Sequence, residues 1–289
     1  KHIVFHLAGK HNMGIIFIDV DETLYSHKTH RIPGSALYTL AKLKEKDHIV
    51  ILSTHRSMSE CTSILNLEVR GMIMGAGALI YLDGKRFFEE NISMTGIKRM
   101  EKMFIEEGCG YCLEGGFGSY CDPIAWEIVK ETYDETDDES RFNHMVFDGY
   151  YDMSYRPDID YYTSICLFSK DEAVLKKTED RLEEPYVATR IHLDNAFMSE
   201  VLNSEVTKLE GVRILAAYFG MKREDIIFVG DGVTDIEVMD YVGHAVAMGN
   251  APDEVKKHAD IVTDDILCDG LYKAFVQLGV IEDDYNRNA

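Results

Sequence analysis

The chain has 289 residues, of which 46% are hydrophobic and 28% charged, a composition typical of a soluble globular protein. At about 150 residues per domain, this length favours two domains. Acidic residues outnumber basic ones by 51 to 30, which gives a formal net charge of -21. Such a charge opposes attraction to nucleic acid or to an anionic membrane, and no apolar run approaches the roughly 20 residues of a membrane span. We therefore expect a cytoplasmic protein with neither nucleic-acid nor membrane partners.

The first part of the chain alternates between predicted strands and helices. Hydrophobic patterning predicts, in chain order, a strand at 15–19, a helix opening at 33–35, a strand at 49–52, a helix at about 59–67 and a strand pair at 72–74 and 78–81. Such alternation is typical of parallel strands joined by helical crossovers. Residues 1–12 precede the first strand, and we predict that they are an extension outside the fold.

The pattern changes over residues 83–190, where we predict shorter strands, two or three helices and, in the acidic run 131–139, a solvated loop. Alternation then resumes, with helices at 206–219, 235–241 and 271–278 and strands at 226–229 and 245–247. The prediction is an α/β fold. Its core is a doubly wound parallel sheet (Rossmann-like) formed by residues 13–82 and 191–289, and residues 83–190 are an inserted α+β cap domain.

The cysteines, at 61, 109, 112, 121, 166 and 268, are too few and too scattered for a disulfide framework. Cys109 and Cys112 have a C-x-x-C spacing, with Cys121 nearby. They are predicted to follow a helix and enter a strand, whereas redox pairs lie at helix starts, and no fourth ligand completes a zinc site in the sequence. Buried structural thiols are the favoured interpretation.

Two carboxylates, Asp19 and Asp21, follow the apolar run 15–18. Because side-chain direction repeats every second residue in a strand, the two acids are expected to point the same way. Such a pair can bind a metal and attack phosphorus, with one acid as the nucleophile and the other as a proton shuttle. A solvated turn after a strand has the same composition, so the other strand ends decide between the two interpretations.

Further polar residues follow other predicted strands, at the sheet edge where open parallel sheets place their ligands. Thr54 follows the strand at 49–52 and supplies a hydroxyl next to free backbone amides, which suits a phosphate. Asp231 and Asp235 follow a later strand and have the ligand chemistry of a magnesium site. Lys208, at the start of the preceding helix, supplies a cation for a transferring phosphoryl group.

The order and spacing of these residues resemble the haloacid dehalogenase superfamily of phosphatases, whose four motifs match residues 19–23, Thr54, Lys208 and 230–235. Segments 76–80 and 248–251 resemble the Cof-type hydrolases, which carry a type IIB cap between the second and third motifs. The resemblance runs from Met13 to about Leu278. Four residues depart from the family pattern by replacing a Gly or an Asn: Glu22, His55, Ala76 and Thr234.

The resemblance implies a phosphatase that hydrolyses small phosphorylated metabolites, with sugar phosphates favoured, through an aspartyl phosphate and with Mg2+ as cofactor. Asp19 would be the nucleophile and Asp21 the general acid and base, assisted by Thr54 and Lys208. The substrate-binding residues it implies are Thr54, Arg56, Lys208 and Asn250. The metal-binding residues it implies are Asp19, Asp21 through its backbone carbonyl, Asp231 and Asp235. The inserted cap would close over the site and set the choice of substrate.

Two alternatives remain open. A phosphotransferase or mutase would use the same aspartyl phosphate but pass the phosphoryl group to an acceptor other than water. A non-catalytic phospho-ligand module would also carry acids, a threonine and a lysine, although receiver domains of that kind need only about 120 residues and no large insert.

Overall fold

A computed structural model of the chain describes residues 14–134, 149–157, 161–193 and 195–285. The predicted extension at 1–12 lies outside these residues. The described residues form two compact units, the first within the bounds Lys1–His55, Leu67–Phe87 and Lys208–Ala289 and the second within Arg56–Asn66 and Phe88–Thr207. Among the described residues, no helix has the length and apolar character needed to cross a membrane.

The strands of the described residues, in chain order, are β1 (Ile15–Asp19), β2 (Ile49–Ser53), β3 (Gly71–Met74), β4 (Leu79–Leu82), β5 (Lys85–Glu89), β6 (Gly110–Gly115), β7 (Ser119–Cys121), β8 (Tyr150–Asp152), β9 (Tyr162–Ser169), β10 (Tyr186–His192), β11 (Phe197–Asn203), β12 (Ile226–Gly230), β13 (His244–Ala247) and β14 (Ile261–Val262). The α-helices are α1 (Gly34–Glu45), α2 (Met94–Glu107), α3 (Pro123–Asp134), α4 (Glu172–Glu179), α5 (Lys208–Phe219), α6 (Ile236–Tyr241), α7 (Asp253–Lys256) and α8 (Gly270–Gln277).

The first unit is built on an eight-stranded sheet with the spatial order β14-β13-β12-β1-β2-β3-β4-β5. Strand β1 lies between β12 and β2 and runs parallel to both, with Ile18 opposite Val229 and Asp19 opposite Ser53. All residues of β1, β2 and β12 are buried, as expected for a parallel sheet covered on both faces. The predicted parallel α/β core is confirmed, and the carboxyl ends of its central strands meet at one edge.

One predicted element of this half of the chain is wrong. Residues 59–67 do not form an α-helix, and only Ser59–Cys61 forms a short 3-10 helix. The Glu60 side chain accepts hydrogen bonds from the backbone N–H of Ser57 at 2.8 Å and from the Ser57 hydroxyl at 2.9 Å. Local side-chain bonds of this kind compete with helical backbone pairing, which the apolar spacing alone did not reveal.

The second unit is built on a six-stranded sheet with the order β10-β11-β9-β6-β7-β8, in which only the β7–β8 pair among these neighbours is parallel. The predicted boundary of the cap at 190 is wrong, because β10 ends at His192 and β11 pairs with both β10 and β9. The predicted loop at 131–139 is also wrong for its first four residues, because α3 continues to Asp134. Residues 135–139 lie outside the described residues.

The helices of the second unit begin and end at residues with the expected capping chemistry. Ser93 precedes α2 and its hydroxyl accepts from the Gly96 backbone N–H at 3.1 Å. The helix ends at Gly108, which adopts a φ of 68°, a conformation that glycine tolerates without a steric penalty. Asp171 caps α4 in the same manner as Ser93, through a 2.9 Å bond from the Ala173 N–H.

The predicted buried thiols are confirmed. Cys109, Cys112, Cys121 and Cys166 are buried free cysteines, and Cys112 lies directly opposite both Cys121 and Cys166 in the sheet. Burial raises the pKa of Cys112 and of Cys166, which disfavours the reactive thiolate. These cysteines therefore act as small apolar residues in the core of the second unit.

Buried glutamates lie on the same face of this sheet. The Glu114 side chain accepts from the Ser164 hydroxyl at 2.6 Å and from the Cys166 thiol at 3.1 Å. Burial raises the pKa of Glu114 well above its ordinary value, and repulsion from Glu60 and Glu200 adds to the shift. A carboxyl with a raised pKa favours folding at low pH, and this contribution is lost as the pH rises through the folded-state pKa.

We therefore expect Glu114→Gln to raise the melting temperature of the protein relative to wild type, and to raise it more at about pH 8 than at about pH 5. The amide keeps an acceptor for the Ser164 hydroxyl but cannot ionise. Thermal unfolding followed by circular dichroism at both pH values checks this, with Glu205→Gln as a control at an exposed position of the same unit. An equal effect at both pH values would contradict the assignment of Glu114 as a buried acid.

Candidate active site

The centre of the site is an ion triad on the first unit. Asp19 is the last residue of β1 and Lys208 is the first residue of α5, and both are buried. The Lys208 Nζ lies 2.6 Å from Asp19 Oδ1 and 2.7 Å from Asp235 Oδ1. One ammonium group therefore joins two carboxylates that are 216 residues apart in the chain.

Asp235 is held in place by the turn that follows β12. Its Oδ2 accepts from the backbone N–H of Asp231 at 3.1 Å and from that of Gly232 at 3.0 Å. A side chain at Gly230 would collide with the Asp235 carboxylate, so this position requires glycine for close approach. The buried Asp235 carboxylate is thus satisfied by two amides and by Lys208, and it fixes the ammonium next to Asp19.

Charge and burial act against each other in this triad. Burial raises the pKa of Asp19 above its ordinary value, repulsion from Asp235 and Asp231 adds to the rise, and the nearby ammonium of Lys208 opposes it without reversing it. Burial alone would lower the pKa of Lys208, but attraction to Asp19 and Asp235 outweighs burial and raises it. Lys208 therefore stays protonated, and its charge favours the ionised form of Asp19 that a nucleophile needs.

Asp231 completes an acidic cluster beside the triad. Its Oδ1 accepts from the Thr23 hydroxyl at 3.0 Å, and its Oδ2 lies 3.5 Å from the Asn250 amide nitrogen. Burial raises the pKa of Asp231 to about 6, although the hydrogen bond from Thr23 opposes this shift. A carboxylate that is costly to ionise in isolation is well suited to a bound cation, which would favour its charged form.

The cluster has the donor set of a divalent metal site. Asp19, Asp231 and Asp235 each offer a carboxylate oxygen, and these oxygens lie within 4.8 Å of one another. Oxygen donors of this kind suit Mg2+. Both oxygens of Asp235 already accept hydrogen bonds, so Asp19 and Asp231 are the better candidates for direct ligands and Asp235 for a supporting role.

Two other residues predicted from the sequence, Asp21 and Thr54, do not belong to this acidic cluster. Asp21 is partly exposed and contacts His27, and it is not one of the clustered acids. Thr54 is buried directly after β2, where its N–H donates to the Ile73 carbonyl at 2.9 Å. Thr54 therefore follows the strand next to Asp19, at the same edge of the sheet.

Asn250 and Arg56 have different surroundings. The Asn250 amide donates to the Glu22 carbonyl at 2.8 Å, and its Oδ1 accepts from the Ile266 N–H at 3.0 Å. These bonds tie the loop after β1 to the end of the site near Asp231. Arg56 belongs to the second unit, and its guanidinium donates to the Glu60 carbonyl at 3.2 Å. Its contact with substrate stays a prediction.

Sequence reasoning gave no role to three residues beside the acids. Thr23 donates to Asp231, and His27 contacts Asp21. Ser53 lies opposite Asp19 in the sheet, and its buried hydroxyl forms no hydrogen bond within the described residues. Thr23 stands two residues after Asp21 in the first motif, so its place in the motif was an available signal, whereas His27 has no spacing that marks it.

Two departures from the family pattern coincide with strained backbone. Glu22 adopts a φ of 56° and Ala76 a φ of 53°. The family has Gly and Asn at these positions, and those are the residues that tolerate the left-handed region most readily. The backbone conformation is therefore kept here at a steric cost, and at position 22 the larger side chain supplies a carboxylate that accepts from the His27 backbone N–H at 2.7 Å.

Comparison with known proteins agrees with this geometry. A family model described as haloacid dehalogenase-like hydrolase matches residues 16–275. The chain therefore belongs to the haloacid dehalogenase-like hydrolase family. It is accordingly an enzyme, and the prediction of a Cof-type phosphatase of this superfamily is confirmed at the level of the class.

Individual relatives span nearly the whole chain. The candidate phosphatase YkrA of Bacillus subtilis is 25% identical over 278 residues, which cover 93% of this chain and 98% of the relative. A solved phosphatase of the superfamily from Bacteroides thetaiotaomicron has a TM-score of 0.76 and 26% identity, covering 96% of this chain and 99% of that one. A subclass IIB sugar phosphatase has a TM-score of 0.73 and 23% identity over 93% of this chain and 100% of that one. This last likeness supports the fold alone.

Proposed function

We propose that the protein is a magnesium-dependent phosphatase that hydrolyses small phosphomonoesters, with sugar phosphates as the preferred class, through a phosphorylated Asp19. The observation that carries this proposal is the Lys208 ammonium, held 2.6 Å from Asp19 and 2.7 Å from Asp235 at the carboxyl edge of the parallel sheet. A fixed cation beside a buried carboxylate favours the ionised form of that carboxylate and offsets the charge of an approaching phosphate.

In the first step, an oxygen of Asp19 attacks phosphorus and the P–O bond to the substrate alcohol breaks. The Asp21 carboxyl gives its proton to the departing alkoxide, which leaves as a neutral alcohol. Lys208 and the Thr54 hydroxyl stabilise the phosphoryl oxygens, where negative charge is concentrated during transfer. The product of this step is an aspartyl phosphate on Asp19 and an ionised Asp21.

In the second step, a water molecule attacks the phosphorus of the aspartyl phosphate. Asp21 removes the proton of the water, and the P–O bond to Asp19 breaks. Inorganic phosphate leaves, Asp19 returns as a carboxylate, and Asp21 is protonated for the next cycle. Both carboxylates therefore end in their starting states.

The donor set supports a site for Mg2+ in this proposal. The ion would be held by Asp19, Asp231 and the backbone carbonyl of Asp21, and Asp235 would have a supporting role beside these ligands. Bound there, Mg2+ would neutralise the repulsion between the phosphate dianion and the surrounding acids. An enzyme with a net charge of -21 needs such local compensation to admit an anionic substrate.

We expect phosphatase activity to vanish in excess chelator and to return on addition of Mg2+, because the acids around Asp231 repel a phosphate when no cation is bound. Calcium should restore much less activity, since its longer and looser coordination spoils the in-line arrangement. Steady-state assays after chelation and dialysis check this, with added Mg2+ as the control for irreversible damage. Full activity in metal-free buffer would contradict the proposed metal requirement.

The substrate class rests on resemblance and needs its own experiment. A relative from Bacillus subtilis that is 22% identical over 275 residues, covering 86% of this chain and 91% of the relative, is named 5-amino-6-(5-phospho-D-ribitylamino)uracil phosphatase. This name indicates a phosphorylated polyol as the substrate of that relative, and it supports sugar phosphates and related esters as the first candidates here. A panel of sugar phosphates, nucleotides and phosphorylated cofactors, assayed with Mg2+, tests the preference, and a higher kcat/KM for nucleotides would contradict it.

Release of free phosphate in the presence of an acceptor sugar separates hydrolysis from phosphoryl transfer.

A further inference from the structure

The loop after β1 contains a chain of contacts that leads to Asp21. Asp21 Oδ1 lies 2.7 Å from the His27 Nε2. The backbone N–H of His27 donates to Glu22 Oε1 at 2.7 Å. The ring of Tyr25 packs against the His27 imidazole in a T-shaped arrangement, with 5.5 Å between the ring centroids. His27 is therefore held through its backbone N–H, through the packing of its ring against Tyr25 and through its Nε2 atom.

These contacts contribute little to folding. The side chains of His27 and Asp21 are 57% and 36% exposed, and ion pairs at such positions stabilise a protein by at most about 1 kcal/mol. Glu22, which accepts the bond from the His27 N–H, adopts an unfavourable φ of 56°, and strained backbone of this kind is concentrated at functional sites. The arrangement is better explained by what it does to Asp21 than by stability.

We propose that His27 is a positioning residue that fixes the orientation of the Asp21 carboxyl, and that the Glu22 carboxylate holds His27 in place for this task. The inference rests on the proposed role of Asp21 as general acid and base. The inference gives a role to Glu22, which replaces the glycine of the family motif, and to His27, which lies outside the motif.

The physical reason is rotational freedom. A partly exposed aspartate turns readily about its two side-chain torsions, and proton transfer requires the donor oxygen within hydrogen-bond reach of the leaving oxygen. A bond from His27 Nε2 to Oδ1 restricts both torsions and so limits the directions in which the carboxyl can present its proton. Pre-orientation of a reacting group lowers the entropic part of the barrier, and small misplacements are costly in rate.

The test compares two substrates of the full-length enzyme that differ in their need for a general acid. An alkyl phosphate requires protonation of its leaving oxygen, whereas p-nitrophenolate leaves without it. His27→Phe keeps a ring next to Tyr25 but cannot bond to Asp21. We expect it to lower kcat/KM for the alkyl ester by about 10-fold, a part of the 10²- to 10⁴-fold that a general acid contributes, and to change kcat/KM for p-nitrophenyl phosphate by less than about 3-fold.

Two further variants keep the test decisive if His27→Phe folds poorly. His27→Gln retains a donor near the position of Nε2, so it should preserve most of the activity toward the alkyl ester. Glu22→Ala removes the acceptor of the His27 N–H and should reproduce the substrate-dependent loss in weaker form. His258→Phe is the matched control, because His258 contacts Asp240 at 2.8 Å in another part of the same unit, and it should leave both substrates unaffected.

An equal loss on both substrates for His27→Phe, or no loss on either, would overturn the inference. Asp21→Asn distinguishes this failure from a failure of the proposed function. If Asp21→Asn affects the alkyl ester much more than p-nitrophenyl phosphate in kcat/KM while His27→Phe does not, Asp21 is the acid and only the role of His27 is wrong. If Asp21→Asn shows no such dependence, the acid role of Asp21 is wrong, and the inference about His27 falls with it.

Discussion

Replacement of Asp19 by Asn is expected to lower turnover by at least about 10³-fold while the protein stays folded. The amide has nearly the same shape as the carboxylate and can still occupy the buried position at the end of β1, but it is not a nucleophile toward phosphorus. Steady-state assays with Mg2+ and a saturating phosphate ester measure the effect, and circular dichroism with thermal melting establishes that the variant is folded.

The control for this prediction is Asp253→Asn, at an exposed position of the same unit, which should keep full activity. The comparison matters because Asp19→Asn also removes one of the two carboxylates that contact Lys208. Turnover within about 10-fold of wild type in a purified, folded Asp19→Asn protein would show that the attack on phosphorus does not come from Asp19.

Replacement of Lys208 by Met should have a large effect on both stability and activity. Methionine fills similar space, but it leaves Asp19 and Asp235 buried without their shared cation. Removing one partner of a buried ion pair costs about 3–5 kcal/mol of unfolding free energy. Loss of a preorganised charge at the phosphoryl group should lower kcat by about 10²- to 10³-fold.

The destabilisation of Lys208→Met should depend on pH in a defined direction. Burial raises the pKa of Asp19, and the variant lacks the ammonium that opposes this shift. A carboxyl with a raised folded-state pKa favours folding while it is protonated and opposes folding once the pH exceeds that pKa. Chemical denaturation should therefore show a larger loss of stability at about pH 8 than at about pH 5.

Two controls separate the buried ammonium from a generic loss of charge. Lys273→Met removes an exposed lysine that pairs with Asp264 on the surface, and it should change stability by less than about 1 kcal/mol. Adding Asp235→Asn to Lys208→Met should recover part of the lost stability but none of the activity, because one buried charge is removed together with its partner. A stable and active Lys208→Met protein would contradict the role of the ion triad.

The core of the fold could be predicted because short stretches of the sequence indicate each of its central strands. The apolar run at 15–18 followed by Asp19 marks a buried strand ending in an acid, and the same pattern recurs before Thr54 and Asp231. In a parallel sheet the carboxyl ends of strands meet at one edge, so local patterns also predict which acids come together. The structure places Asp19, Lys208, Asp231 and Asp235 in contact through the bonds described above.

The parts that failed depend on contacts between distant residues. The helix expected at 59–67 is replaced by a 3-10 turn in which the Glu60 carboxylate bonds to Ser57 and to the Tyr150 hydroxyl, 90 residues away. The cap boundary at 190 was wrong because the pairing of β11 with β9 is visible only in three dimensions. His27 was missed because no spacing rule marks a single histidine six residues beyond Asp21.

The most direct test of the proposed mechanism is to trap the phosphorylated enzyme. Wild-type protein mixed with Mg2+ and a rapidly cleaved ester is quenched in acid during turnover, digested and examined by mass spectrometry. The mechanism predicts a hydroxylamine-sensitive phosphoryl group on the peptide that contains Asp19, and none on that peptide from the Asp19→Asn protein. Steady turnover with no phosphoryl group on the Asp19 peptide at any quench time, or with the group on another residue, would contradict nucleophilic attack by Asp19.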